Sequence, residues 1–225
     1  MIGLVVVSHS RMLADGVAEL AGQMAPDVVI AASGGDGSGG LGTDYEAVGE
    51  AIDRASSGDG VVVLYDLGSA RMVAEMAAEE ADAEVRLADA PLVEGAVAAA
   101  VAAQGGADLA HVLAAALTAR DYDGTTGAIA PDSAPDSAEV SADLTLTNDV
   151  GLHARPAALV ARALAGVDAQ VAVRFGEQSA DGRSVLALMG LGAPGGGSIT
   201  VVASGPEAAE ALRRVTDLVH RRFDE

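Results

Sequence analysis

Ile2-Gly3-Leu4-Val5-Val6-Val7-Ser8 is an almost unbroken aliphatic run, and His9 and Ser10 follow it at once. A run with no polar face predicts a strand buried on both sides, as in a parallel sheet. The pattern continues outward from there. Leu13, Val17, Leu20 and Met24 recur at the spacing of one helical face. A second short strand is expected over 28–32, then a helix carrying Tyr45, Val48, Ile52 and Ala55 on one side. A third aliphatic strand follows over 61–65, and a helix with Met72, Val73 and Met76 on its apolar face comes next. A fourth strand over 85–87 and two Ala-rich helices between about 92 and 120 complete the series. Strands alternating with helices over short links predict an α/β domain with a doubly wound parallel sheet. Ligands and chemistry gather at the carboxyl ends of such strands.

Composition narrows the chemistry. The 225 residues are 50% hydrophobic but only 2% aromatic, so the cores must be built from Ala, Val and Leu. There is no cysteine, which excludes disulfides, thiolate metal sites and cysteine nucleophiles. All 13 basic residues are arginine, which excludes a lysine P-loop and Schiff-base catalysis. A net charge of −20 argues against binding a nucleic-acid backbone. No apolar run reaches the ~18 residues of a membrane span, and the first ten residues carry no basic leader. The expectation is a soluble cytoplasmic protein.

Charge also divides the chain. Residues 1–122 hold 5 Arg and 19 acids, or −14, whereas residues 141–225 hold 8 Arg and 10 acids, or −2. Between them, 123–140 reads DGTTGAIAPDSAPDSAEV, with two prolines, four acids and no base. That segment is expected to be a flexible linker.

Two loops of the first domain fall at the strand ends. Ser8-His9-Ser10 follows the first strand and Asp66-Leu67-Gly68-Ser69 follows the third. Each runs into a helix whose first N–H groups favour an anion, and Ser69 is expected to be the N-cap of its helix. Asp66 is placed either to accept a hydrogen bond from one ring nitrogen of His9, freeing the other as a nucleophile, or to brace the turn. Spacing alone does not choose. The glycine-rich 33–42, SGGDGSGGLG, lacks the nucleotide P-loop pattern and is expected to be a flexible loop lining the site.

The second domain is expected to be an α+β open sandwich. Strands are predicted over 144–148, 170–175, near Gln178 and over 199–203, and helices over 154–165 and 185–189. A last helix carries Ala208, Leu212, Val215 and Val219 on one face. Before its first helix stands Gly151-Leu152-His153-Ala154-Arg155-Pro156-Ala157. Pro156 suits a first turn, where its missing N–H costs nothing. His153 then sits at a helix N-terminus, where free N–H groups and the Arg155 guanidinium would hold a phosphoryl group. His111, in an Ala/Leu helix, and His220, beside Arg221 and Arg222, are expected to be structural or surface residues.

The heptapeptide GLHARPA makes residues 141–225 resemble HPr, the histidine phosphocarrier of the bacterial phosphoenolpyruvate phosphotransferase system. Arg183-Ser184 falls where that family has its regulatory serine. Residues 1–122 are similar to the mannose-type EIIA domain through LVVVSHS with His9, Gly42-Thr43-Asp44, and LYDLGSA at 64–70. The two together resemble the phosphotransferase subunits of phosphoenolpyruvate-dependent dihydroxyacetone kinases, and the resemblance covers the chain apart from the linker.

That resemblance implies a phosphoryl relay. Enzyme I would phosphorylate His153, on Nδ1, and the group would pass to His9, on Nε2. From there it would go to ADP on a separate nucleotide-binding subunit that works with a dihydroxyacetone-binding subunit. His9 and His153 are then the catalytic residues, supported by Asp66, Ser69 and Arg155. Gly42, Thr43, Asp44, Gly68 and Ser184 are candidates for partner contact. No metal or cofactor is implied, and a homodimer through the first domain is. Some members carry a third domain similar to part of enzyme I; with the sequence ending at Glu225, an external enzyme I is expected to serve. Two other readings share the chemistry: an EIIA–HPr fusion feeding a mannose-type permease, and a regulatory sensor that only binds partners when phosphorylated.

Overall fold

A computed structural model describes residues 1–121 and 139–224. The linker expected over 123–140 lies outside the described residues except at its end, where Val140 already opens a strand.

The first compact unit ends at Asp121. Its strands are β1 (Gly3–Ser8), β2 (Ile30–Gly34), β3 (Val61–Tyr65) and β4 (Val85–Ala88). They pair in parallel in the order β2-β1-β3-β4. The aliphatic run with which the sequence opens is central and buried throughout, as its lack of a polar face requires. Side chains alternate between two cores. Leu4, Val6, Val62 and Leu64 pack under α1 (Arg11–Met24), α4 (Leu92–Gln104) and α5 (Leu109–Thr118). Val5, Val7, Val61, Val63 and Tyr65 pack under α2 (Tyr45–Ala55) and α3 (Gly68–Glu80). The doubly wound sheet is therefore observed.

Two predicted helix faces differ from those observed. On α3 the buried residues are Ala70, Ala74 and Ala77, while Met72 and Met76 are exposed. On α1 Ala14 and Ala21 are buried with Val17 and Met24, while Leu13 and Leu20 lie on the flank. A sheet faced with valines leaves room for a helix to approach closely only through alanines, so the larger side chains turn outward. β2 also begins later than predicted, because Val28 still closes a turn onto the Ala25 carbonyl.

The second unit is an open-faced sandwich. β5 (Val140–Thr145), β6 (Gln170–Phe175), β7 (Gln178–Asp181) and β8 (Ser198–Ser204) form an antiparallel sheet in the order β5-β8-β6-β7. Val171, Val173, Ile199, Val201 and Ala203 point inward with period two, the pattern of a sheet covered on one face. That face is covered by α6 (Ala154–Ala163), α7 (Val185–Gly190) and α8 (Ala208–His220). On α8, Ala211 and Leu218 join Ala208, Val215 and Val219 in the core, and Leu212 is only half-buried. Among the described residues no helix is long and apolar enough to cross a membrane.

The closest backbone approach in the first unit gives a stability test. A Cβ on Gly3 would lie 2.0 Å from the Ala55 carbonyl oxygen at the end of α2. Gly16, exposed on α1, has open space around it. Gly3→Ala is expected to cost ~1–3 kcal/mol, and Gly16→Ala to stabilise by ~0.5–1 kcal/mol through the unfolded chain. Calorimetry of the full chain checks both, the first substitution lowering and the second raising the same transition.

Candidate functional site

The sheet order creates the site. From β1 the chain goes to β2 on one side, then crosses back to β3 on the other, so the strand order reverses between β1 and β3. Doubly wound folds bind ligands outside the strand ends at such a point. Ser8 ends β1 and His9 follows it; Tyr65 ends β3 and Asp66 follows it.

Asp66 organises everything around it. Its Oδ2 accepts from the buried Ser8 hydroxyl at 2.8 Å and from the His9 amide at 2.8 Å. Its Oδ1 lies 2.9 Å from His9 Nδ1 and accepts from the Leu67 amide at 2.7 Å. Burial pushes the carboxyl's pKa up, but these hydrogen bonds from His9 and Ser8 outweigh it, and the pKa is lowered. At neutral pH the group is therefore ionised and can only accept. In the neutral imidazole Nδ1 must then carry the proton, which leaves the lone pair on Nε2. Ser69 Oγ stands 2.8 Å from that Nε2 and donates to it.

Ser69 is thus not the N-cap that the sequence suggested. α3 starts two residues earlier than that cap would place it, at Gly68, with Leu67 as its N-cap and no side-chain cap. That shift places the Ser69 hydroxyl within the first turn, facing the imidazole. Ser10 is the N-cap of α1 and accepts from the Leu13 amide. The His9 side chain is 25% exposed, which leaves Nε2 within reach of a reacting group.

The glycine-rich loop is braced rather than open chain. Asp36 Oδ1 accepts from the Ser38 amide, the Ser38 hydroxyl and the Gly40 amide. Of the candidate contact residues, Gly42 donates its amide to the His9 carbonyl at 3.0 Å. Thr43 bridges to Gly35, and Asp44 caps α2 by accepting from Ala47. Gly68 opens α3.

In the second unit His153 is the N-cap residue of α6, exposed and with no side-chain capping bond. Its loop is fixed from below: the buried Asn148 donates to the Gly151 carbonyl at 2.9 Å, and the Leu152 amide donates to Ala193. Arg155 is exposed one residue into the helix and forms no bond to His153. Ser184 caps α7 by accepting from the Ala187 amide at 3.2 Å. His111 is exposed and paired with Asp108 at 2.7 Å, and His220 is exposed at the end of α8. Sequence reading passed over Ser8 and Asn148. Ser8 stands within a quoted motif and Asn148 shortly before one, but their buried contacts depend on the folded loop.

With the geometry in place, similarity can be weighed. Residues 3–113 match a family model described as the PTS system fructose IIA component (EIIA-man). Residues 140–221 match one described as the PTS HPr component phosphorylation site. The chain is 36% identical over 240 residues to the protein of Providencia stuartii (strain MRSN 2154) named "PEP-dependent dihydroxyacetone kinase, phosphoryl donor subunit DhaM". The match takes in 99% of this chain and 50% of that one. A relative of the same name from Escherichia coli (strain K12) is 36% identical over 241 residues, with 100% of this chain and 51% of that one covered. The chain thus spans about half the length of these relatives. A shorter one from Listeria innocua serovar 6a (strain ATCC BAA-680 / CLIP 11262), named "PEP-dependent dihydroxyacetone kinase 1, phosphoryl donor subunit DhaM", is 42% identical over 102 residues. That match takes in 45% of this chain and 82% of the relative.

Asp66 generates a pH prediction. With its folded pKa lowered, the stability it contributes is complete above the unfolded carboxyl value of ~3.9 and is lost as pH falls through the folded value. Asp66→Asn should therefore unfold at lower urea than the parent at neutral pH, and the gap should narrow below about pH 4. Nitrogen-15 NMR of the imidazole should also show the Nδ1–H tautomer of His9 in the parent and a mixture in the variant.

Proposed function

Because the chain belongs to the family of phosphoryl donor subunits of PEP-dependent dihydroxyacetone kinase, we propose that it is a phosphohistidine relay. Enzyme I charged by phosphoenolpyruvate gives its phosphoryl group to His153. The group passes to His9 Nε2, and then to ADP held on a nucleotide-binding subunit that acts with a dihydroxyacetone-binding one. In each transfer the new bond to phosphorus forms as the donor's P–N bond breaks, and the leaving imidazole takes the electron pair. On ADP the acceptor atom is a terminal phosphate oxygen.

The observation that carries this reading is the Nε2 lone pair of His9. Its position is fixed by an ionised carboxylate on the opposite ring nitrogen, at a strand edge beside the uncapped start of α3. A nucleophile held in this way needs only in-line approach of a phosphoryl donor. As the lone pair takes up phosphorus, positive charge develops on the ring, and Asp66 is placed to stabilise it. The Ser69 hydroxyl, freed from Nε2, is then a donor for a phosphoryl oxygen. His153, exposed at an uncapped helix start, supplies the more accessible of the two imidazoles. The helix end contributes ~0.3–1 kcal/mol toward an anion there.

The relay predicts an order. With enzyme I and labelled phosphoenolpyruvate, His153→Ala should remain unlabelled unless free HPr is supplied. His9→Ala should label at His153 but yield no dihydroxyacetone phosphate when both kinase subunits, ADP and dihydroxyacetone are present. Asp66→Ala should label normally at His153 and pass phosphate onward ~10- to 100-fold more slowly, a loss common for a group that orients a reacting ligand. Phosphate that stays on His9 with the kinase subunits, yet moves to a mannose-type permease subunit, would establish the transport reading instead.

A further inference from the structure

The first unit carries five arginines among nineteen carboxylates. Four of the five are paired: Arg54 with Glu50, Arg71 with Glu75, Arg86 with Glu84 and Arg120 with Asp89. Arg11 is the exception. It is exposed, and among the described residues its guanidinium makes no ion pair and no hydrogen bond. A lone cation in a unit of net charge −14 offers a dianion attraction where the surrounding carboxylates repel it.

Its location gives that freedom a use. Arg11 is the first residue of α1, two residues after His9, so the two Cα atoms lie at most ~7 Å apart. A Cβ on Gly34 would stand 2.8 Å from the Arg11 Cα, so the glycine at the end of β2 lets the first turn of α1 settle against the sheet edge. Arg11 thus flanks His9 from the β2 side, while Asp66 and Ser69 flank it from the β3 side. The second unit has the same offset. Arg155 stands two residues after His153 in the first turn of α6, exposed and likewise without an ion pair.

We propose that Arg11 binds the phosphoryl group on His9, its guanidinium donating to the phosphoryl oxygens across from Ser69; this rests on reading His9 as a phosphoryl carrier. The fork of donors suits two oxygens of one phosphoryl group, which a lysine would meet only as a point charge. Arg11 compensates charge that the carboxylates of this unit would otherwise repel. It adds a donor that is free before the group arrives, whereas Ser69 must first leave Nε2.

The test uses the full chain with His153→Ala and phosphoramidate as donor, so that no partner protein is needed. In that reaction the P–N bond of phosphoramidate breaks, ammonia leaves, and a P–Nε2 bond forms on His9. Phosphorus-31 NMR follows the product, its signal assigned by its loss in His9→Ala. A guanidinium on the phosphoryl group favours the dianion, so Arg11→Gln is expected to raise the midpoint of its titration by ~0.5–1 unit, a three- to tenfold change in proton affinity. Arg11→Lys should fall between the two. The His9 tautomer should stay as in the parent, which separates loss of the contact from loss of the fold. A midpoint in Arg11→Gln equal to the parent's, with the tautomer intact, would overturn the proposal. If phosphoramidate labels His9 but charged enzyme I with an HPr does not, the relay reading fails while the Arg11 result stands.

Discussion

An ionised carboxylate can accept hydrogen bonds but cannot donate one, and the His9 site depends on that constraint. Four donors converge on Asp66: a hydroxyl, two backbone amides and an imidazole N–H. Because the bonds from His9 and Ser8 favour the charged form, the carboxylate persists against the cost of burial. Its charge then dictates the tautomer of His9, and the tautomer dictates which nitrogen of the neutral ring carries the free lone pair. Remove the charge and the imidazole is free to turn either nitrogen outward.

The sheet supplies the distance at which this happens. β1 and β3 are neighbours with Val7 beside Tyr65, so the residues that leave them, His9 and Asp66, emerge side by side. The Asp66 amide donates to the Val7 carbonyl, which extends the ladder one step beyond the strand. Parallel pairing is what makes both chains exit at the same edge; an antiparallel pair would send one of them away. Valines on both faces of β1 and close-packed alanines on α1 and α3 keep that edge rigid. The chemistry is thus supported by a core with almost no aromatic side chain.

What the sequence disclosed followed the strength of each physical signal. β3 and β6 were read with their observed bounds, because each is a short valine-rich run followed closely by a turn residue, Asp66 or Gly176. Helix faces were less legible. Counting large apolar residues put Met72 and Met76 in the core, whereas close approach to a valine-faced sheet selects Ala70, Ala74 and Ala77. The proximity of Asp66 to His9 was one of two options left by spacing, and only the strand order chose between them. Ser69 was noticed for the wrong reason, since a two-residue change in the start of α3 turns a cap into a partner of the imidazole. Ser8 and Asn148 were illegible, because a short polar side chain gains its meaning from buried neighbours that pattern does not reveal.

The two imidazoles are held in contrasting ways, and in the relay proposed above the contrast bears on how a phosphoryl group would pass between them without being trapped. His153 has an exposed ring on a helix start with no side-chain bond to break. His9 is bonded at both ring nitrogens, so attack from Nε2 must first release the Ser69 hydroxyl. A neutral hydrogen bond of this kind contributes a net ~0.5–1.5 kcal/mol. The same hydroxyl can donate to the incoming group, where a charged acceptor makes the bond stronger. The release is therefore offset at the moment the new bond forms, and the bond to Nε2 is recovered when the group departs. A donor that exchanges acceptors in this way leaves both states of His9 satisfied, which keeps either from being the end of the path.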